Sequence, residues 1–328
     1  MDRFFYDLEC YLKRQAPVTR NRFIKVCIGT MAAFVAGNAL LKSAFAKETV
    51  STGRRAKDIK GNYDIVAAEG ADPYRNTVRV VEEMGGMGRF VKKGGVVVIK
   101  PNIGWDRTPE QAANTNPRVV AALVEMSLQA GAKRVNVFDI TCNNERLCYE
   151  NSGIYKAAKD SGANVYFADQ WNVVQAHFPF ESPMEEWPVL SDAVECDTFI
   201  NVPVLKHHSL AGLTMSMKNL MGVCGGRRGL IHINLGRKLV DLSRFINPEL
   251  TIIDATRVLL RHGPTGGNLE DVLVMNKVLA ATDPTLADSY AAYLLKKDPM
   301  SIASIKEAAA QNYGVFDLSK AKIKSVKT

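Results

Sequence analysis

The chain has 328 residues, 47% of them hydrophobic and 23% charged, a balance that excludes a disordered chain and suits a soluble core large enough for two α/β lobes. Of the net charge of +8, half comes from residues 1–46, which hold seven Lys/Arg and three Asp/Glu. The remaining excess is small and forms no Lys/Arg stripe with interleaved aromatics, so nucleic acid is excluded as a partner, whereas a modest positive field around a small anionic molecule fits.

Residues 1–46 read as an export signal or N-terminal anchor. The heptad Thr19-Arg20-Asn21-Arg22-Phe23-Ile24-Lys25 precedes a mildly apolar run, 26–41, and Ser43-Ala44-Phe45-Ala46 supplies an Ala-x-Ala cleavage site. The heptad resembles the twin-arginine export motif, with Asn21 separating the two arginines. That resemblance implies the twin-arginine translocase as a partner and a periplasmic or extracytoplasmic location. An uncleaved run 26–41 is long enough to anchor the protein, the expected membrane contact being through this segment alone.

Residues 47–61 are polar, basic and aperiodic, a linker. Tyr63–Ala68 predicts the first strand. Asp72-Pro73 then opens a helix, with Asp as cap and Pro at the first helical position, and Gly85, Gly86 and Gly88 end it. Gly95–Ile99 is all apolar, as a strand buried on both faces of a parallel sheet should be, and leads into Lys100-Pro101-Asn102. Ligands in open α/β sheets bind outside the carboxyl ends of the strands, so Lys100 and Asn102 are placed to meet an anion. Asn116-Pro117 caps a helix running to Ala130. Lys133–Asp139 is a strand ending on an acid, Tyr149–Ser161 a helix, and Val165–Ala168 a strand. This rhythm predicts an α/β fold with a doubly wound, mostly parallel sheet. Its two lobes, about 62–195 and 196–328, would face each other across a cleft. Gln170–Asp192 reads as an irregular flap or crossover, with Trp171, Phe178, Phe180 and Trp187 as core or lid contacts.

The span Val202–Gly222 holds most of the chemistry. Apolar Phe199, Ile200, Val202, Val204 and Leu205 predict a buried strand ending at Pro203–Lys206. Lys206, His207, His208, Ser209, Thr214, Ser216, Lys218 and Asn219 then crowd together and need one another, a ligand or water. His207 and His208 are candidates for proton transfer, and Lys218 for pairing with an anion or acting as base or nucleophile. Asn219 would orient a carbonyl or a carboxylate. Cys224–Gly229 is a flexible basic loop whose Arg227 and Arg228 suit a bidentate carboxylate clamp. For a metal ion (nickel, iron or zinc) the natural ligands are His208 and His232, with Asp139, Asp254 or Cys224 to help. Cys-x-x-Cys pairs do not occur, so an iron–sulfur cluster within this chain is not expected. Cys142 and Cys148 either close a small disulfide loop or stay reduced. Downstream, Gly236–Asn247 is an amphipathic helix, Leu250–Ile253 a strand ending on Asp254, His262–Gly267 a turn-rich loop, and Lys277–Ala281 a strand. A helix capped by Asp283-Pro284 runs to Leu295. One more helix spans Met300–Gln311, before a basic tail.

Lys100-Pro101-Asn102, the strand into Pro203-Val204-Leu205-Lys206-His207-His208, and Met217-Lys218-Asn219-Leu220-Met221-Gly222 resemble the DUF362 family, over roughly Tyr63–Leu295. The resemblance implies a fold and a site rather than a reaction. Members are often exported, and some carry ferredoxin-like iron–sulfur modules, which have no counterpart here. The run His208-x-x-Ala211-Gly212-Leu213-Thr214-x-Ser216-x-Lys218, with His232 further on, is also similar to the nickel-pincer racemases of the lactate racemase type. That similarity implies a proton- or hydride-handling role for His208, a cofactor-bearing role for Lys218 and a nickel-binding role for His232. The chain departs from the racemases in having Met215-Ser216-Met217 where they have a Gly-Gly pair before the lysine. The expected activity is acid/base chemistry on a small carboxylate-type anion by an exported enzyme of racemase/isomerase- or oxidoreductase-like kind. His208 is the acid/base, Lys218 and Lys100 the anion or cofactor contacts, and Asn102 and Asn219 the orienters. The alternative is a non-catalytic periplasmic binding or iron–sulfur/redox-accessory protein.

Overall fold

A computed structural model of the chain describes residues 49–50, 52–54, 59, 61–168, 172–179 and 181–328. The export segment expected over 1–46, including the apolar run 26–41, lies outside them, as do Trp171 and Phe180. Among the described residues no helix is long and apolar enough to cross a membrane.

The elements follow in chain order. β1 (Thr49–Val50), β2 (Ile65–Glu69) and α1 (Pro73–Glu83) are followed by β3 (Val96–Pro101) and α2 (Pro117–Gln129). β4 (Arg134–Val137), α3 (Glu145–Asn151), α4 (Ile154–Asp160) and β5 (Asn164–Val165) come next, then the pair β6 (Val173–His177) and β7 (Glu186–Leu190). α5 (Ser191–Glu195), β8 (Thr198–Val202), β9 (Val204–His208), β10 (Gly212–Thr214) and α6 (Ser216–Asn219) make up the central stretch. α7 (Leu235–Ile246), β11 (Leu250–Leu259), β12 (Val272–Ala281), α8 (Pro284–Leu294), α9 (Ala303–Ala310) and β13 (Ile323–Lys327) close the chain.

Ten of these strands form one sheet in the order β13-β2-β12-β11-β8-β3-β4-β5, with β9 continuing along β11 and carrying β10. Six of its nine pairings are parallel, so the sheet is largely parallel as expected, with β12 and β10 running against it. Alternation along the strands feeds two apolar layers, one on each face. Val97 and Ile99 point into the layer that holds Val80, Leu123 and Tyr149, whereas Val98 points into the layer of Leu239, Leu286 and Ile305. Helices α1 and α2 begin where the sequence places them. The Asp72 side chain accepts from the Tyr74 amide at 2.9 Å and that of Asn116 from the Arg118 amide at 3.0 Å, each with Pro at the first turn.

Several expectations need revision. The sheet runs unbroken past residue 195, and Thr49–Thr328 forms one compact unit. The described part of the 47–61 stretch is pinned to it: β1 pairs with β6, and Arg54 forms a buried 2.9 Å ion pair with Glu249. Gln170–Asp192 contains the β6–β7 hairpin and the start of α5, not an irregular flap. The helix predicted over Tyr149–Ser161 is two helices, broken at Gly153, whose φ of 72° lies in the left-handed region. β11 and β12 extend beyond the predicted Leu250–Ile253 and Lys277–Ala281 because they pair as one long antiparallel ribbon with an irregularity between Ala255 and Arg257. The basic tail is β13, which adds in parallel to β2.

Candidate functional site

The site forms where the carboxyl ends of β3, β4 and β8 leave the sheet. β3 and β8 are parallel neighbours, with Lys100 opposite Asn201 and Pro101 opposite Val202. The strand carrying Val204 does not stop at Lys206. Beyond the interruption at Pro203 it continues as β9 through His208 and turns back as β10, with His207 opposite Leu213 and Lys206 opposite Thr214. A strand alternates its side chains, so Lys206 and His208 share one face and His207 takes the other. Lys206 and His208 are buried, whereas His207 is half-buried, its Nδ1 accepting from the Gly263 amide at 3.1 Å. His207 is thereby directed away from its two neighbours.

Lys100 is fully buried. Its ammonium lies 2.8 Å from Asp139 Oδ1 and donates to the Pro101 carbonyl at 3.0 Å and to Asn219 Oδ1 at 3.1 Å. Burial pulls its pKa down, and the Asp139 carboxylate opposes that pull. Asp139 is fixed in turn. Its Oδ2 accepts from the Ile103 amide at 2.7 Å, and the buried Tyr149 hydroxyl accepts from the Asp139 backbone N–H and donates to the Asp139 carbonyl. The backbone at Gly222 passes so close that a Cβ there would stand 1.8 Å from Asp139 Oδ1 and 2.4 Å from Lys100 Nζ. A buried ion pair clamped this way is a fixed strut for the site.

Asn219 lies in α6 and ties β3 to β8. Its Oδ1 accepts from Lys100 and from Asn102 Nδ2, at 3.0 Å for the latter, and its Nδ2 donates to the Lys100 carbonyl and to Asn201 Oδ1. Asn102 Oδ1 accepts from Lys206 at 3.0 Å. The two asparagines expected to orient a ligand therefore orient lysines. The position of α6 is set from outside the predicted cluster: the Asp288 carboxylate on α8 accepts from the Ser216 and Met217 amides at 2.6 and 3.2 Å. Burial lifts its pKa to about 8.

Lys206 donates to Asn102 Oδ1 and to the Ala113 carbonyl and faces no carboxylate at bonding distance among the described residues. Burial drops its pKa to about 7, with the Lys218 and Lys100 charges adding to the fall. Lys218 is half-buried and has no hydrogen-bond or ion-pair partner among the described residues; burial and the nearby Arg228 and Lys100 charges bring it to about 8. The Lys218 charge also helps depress both His208 and His232, which places these groups in one electrostatic neighbourhood.

The two imidazole rings lie 5.6 Å apart between centroids, 31° from parallel. His208 Nδ1 accepts from the Leu210 and Ala211 amides at 3.2 and 3.3 Å, so its proton sits on Nε2, and burial drops its pKa to about 3. His232 Nδ1 meets the Gly229 carbonyl at 3.1 Å, where it must donate, leaving Nε2 as a bare acceptor. That Nε2 is buried and has no hydrogen-bond partner among the described residues. The pair thus offers one N–H and one lone pair. The lone pair belongs to His232, whereas the sequence pattern points to His208 as acid/base.

Arg228 donates to the Ile140 carbonyl at 2.6 Å, to the Thr141 carbonyl at 3.1 Å and to Cys142 Sγ at 3.3 Å, anchoring the loop after β4. The Cys224–Gly229 segment is accordingly braced, with the Trp187 indole donating to the Gly225 carbonyl at 3.0 Å. Arg227 is exposed and joins none of these contacts. Cys142 and Cys148 are both free thiols. Asp254 accepts from Asn116 and Thr256, Cys224 is buried, and no group of three or more His, Cys, Asp or Glu suited to a metal forms among the described residues. His208 and His232 meet as a pair without the helpers proposed from sequence. A separate surface depression lined by Glu181, Glu185, Arg237 and Glu307 includes no member of the cluster.

Sequence reasoning missed Asn201 and Asp288, and it named Gly222 only as the end of a motif. Asp288 alone left a readable trace, as an acid among apolar Leu286, Ala287, Ala291 and Ala292 on a helix.

A largely parallel α/β sheet with a lysine- and imidazole-rich centre at its strand ends defines the class. The chain belongs to the DUF362 family, a domain of unknown function, whose profile matches residues 97–293. A thylakoid-associated protein of Synechocystis sp. is 27% identical over 253 residues, covering 72% of this chain and 73% of that protein. The lactate racemase apoprotein from Thermoanaerobacterium thermosaccharolyticum aligns with a TM-score of 0.40 at 11% identity, over 75% of this chain and 61% of that one. A Thermotoga maritima protein aligns with a TM-score of 0.32 at 12% identity, over 60% of this chain and 54% of that one. The chain therefore spans less than two thirds of either solved structure.

Proposed function

We propose that this DUF362 protein is an exported enzyme that binds a small carboxylate-type anion and moves a proton on it. The observation that carries the reading is Lys218, half-buried, without a hydrogen-bond or ion-pair partner among the described residues, and in the electrostatic neighbourhood of two imidazoles whose Nε2 atoms are in opposite protonation states. A cation held out of water without a counter-charge is unfavourable until an anion arrives. Lys218 binds the anion's carboxylate, and Lys206 adds to the positive field. The His232 lone pair takes a proton from the bound molecule, and the His208 N–H donates a hydrogen bond to the oxygen that gains charge. Asn102 holds Lys206 in place, and Asn219 does the same for Lys100. The extracytoplasmic location, reached through the twin-arginine translocase, is supported by the sequence of residues 1–46.

Isothermal titration of the full chain at low salt with acetate, lactate and oxalate tests the binding step. Saturable binding is expected for at least one of them, weakened by ~tenfold in Lys218→Ala, about 1.4 kcal/mol. The variant should melt as the parent does, because Lys218 makes no hydrogen bond or ion pair among the described residues. Absence of binding by all three anions sinks the reading. Proton NMR of lactate and pyruvate in deuterated water tests the catalytic step. Protein-dependent exchange of a carbon-bound hydrogen, lost in His232→Ala, supports it; binding without exchange leaves a binding protein.

A further inference from the structure

The cations at this site outnumber its anions, and the difference specifies the charge of what binds there. Lys100 is neutralised by Asp139 at 2.8 Å. Lys206 has only an amide oxygen and a peptide carbonyl as bonding partners. Lys218 has no partner among the described residues, and Arg228 donates to two carbonyls and the Cys142 sulfur. The other buried acids among the described residues are occupied elsewhere: Asp254 by Asn116 and Thr256, Asp288 by the amides that open α6, Asp241 by Ser182 and Arg237, Glu249 by Arg54, and Asp271 by Arg261. Even with the Cys142 sulfur set against Arg228, the Lys206 and Lys218 amines remain without an anion; Lys206, brought to about 7 by burial, regains its proton as an anion arrives, so both count as ammonium groups in the bound state.

Resting on the reading of this centre as an anion site, we infer that its ligand carries two negative charges, as a dicarboxylate or a phosphoryl group does. A monoanion would leave one buried ammonium unmatched, and a neutral molecule would leave both. Coulomb attraction in such a sheltered site is several times stronger than in bulk water, so the second charge is felt directly in affinity. His208 and His232 are neutral near neutral pH by their hydrogen bonding and burial. They supply an N–H and a lone pair and add no charge to the count.

The test is titration of the full chain at pH 7.5 and constant ionic strength with acetate, oxalate and inorganic phosphate. At least one dianion is expected to bind more tightly than acetate by ~30-fold, the effect of one added charge pair at partly sheltered distance. Lys218→Met should remove most of that advantage while its melting temperature stays at or above that of the parent. Preference for oxalate assigns a dicarboxylate, and preference for phosphate assigns a phosphoryl-bearing ligand; either supports the inference. Acetate binding as tightly as both dianions overturns it and leaves the anion-site reading standing. Absence of binding by all three overturns both.

Discussion

Replacing Lys206 by methionine tests whether a buried, uncompensated ammonium lowers the stability of this fold. The Lys206 pKa falls from 10.5 to about 7 on folding, mainly through burial. At about 1.4 kcal/mol per unit, the charged form disfavours folding by roughly 5 kcal/mol at pH 7 and below. The sign follows from proton binding. Between pH 7 and 10.5 the unfolded chain holds a Lys206 proton that the folded chain has released, so raising the pH stabilises the folded state. Methionine removes this dependence and leaves the Asn102 Oδ1 and Ala113 carbonyl acceptors without their donor. Those two losses cost about 1–3 kcal/mol each, so the net change at pH 6.5 is small. From pH 7.5 to 9.5 the parent should gain on the variant by about 1.4 kcal/mol per pH unit. Urea unfolding of both proteins across that range reads the gap directly, and the comparison cancels the thiols and tyrosines that titrate in the same range. Parallel stability curves would refute the account of Lys206 as a charge held against its solvation.

Gly222→Ala puts a methyl group onto the Lys100–Asp139 pair and should lower stability by about 3 kcal/mol, measured as a drop in thermal midpoint; an unchanged midpoint would mean that the pair has room to move. Among Cys142, Cys148, Cys196 and Cys224, iodoacetamide should label Cys142 first in the native protein. Cys142 is exposed, whereas the other three are buried and pushed up to about 11 or 12. Peptide mass spectrometry gives the order, and faster labelling of Cys224 would contradict the braced loop. Protein recovered from the cell envelope should begin near Lys47 by N-terminal sequencing, and an intact residue 1 in a soluble cytoplasmic fraction would remove the export reading.

What the sequence made legible is local. Asp72 and Asn116 read as caps because a cap acts within three residues of itself, and β3 reads as a buried strand because four consecutive apolar residues leave no polar face. The crowding of Lys206, His208, Lys218 and Asn219 is equally plain, and the structure brings these four together with Lys100 and Asn102. Hidden elements depend on distant partners. β13 becomes a strand through pairing with β2, some 258 residues earlier in register, so its own alternation is too weak to announce it. In the β6–β7 hairpin Pro179, Pro183 and Pro188 interrupt the pattern, and Pro188 is tolerated because β7 is an edge strand.

The separation of His207 from His208 shows how a small error in an element boundary becomes an error in chemistry. Ending the strand at Lys206 leaves both imidazoles free to face the same site. Extending it two residues, as the pairing of His207 with Leu213 requires, puts them on opposite faces by the period of the strand alone. His208 then shares its side with Lys206, and the second imidazole comes from His232, 24 residues later in sequence, whose ring lies 5.6 Å from that of His208. Nearness in sequence favoured the adjacent histidine, but strand geometry selects the remote one. The same geometry decides which nitrogen carries the lone pair. Two backbone amides occupy His208 Nδ1 and one carbonyl occupies His232 Nδ1, so the free ring acceptor lies on a residue that sequence reasoning had assigned to a metal.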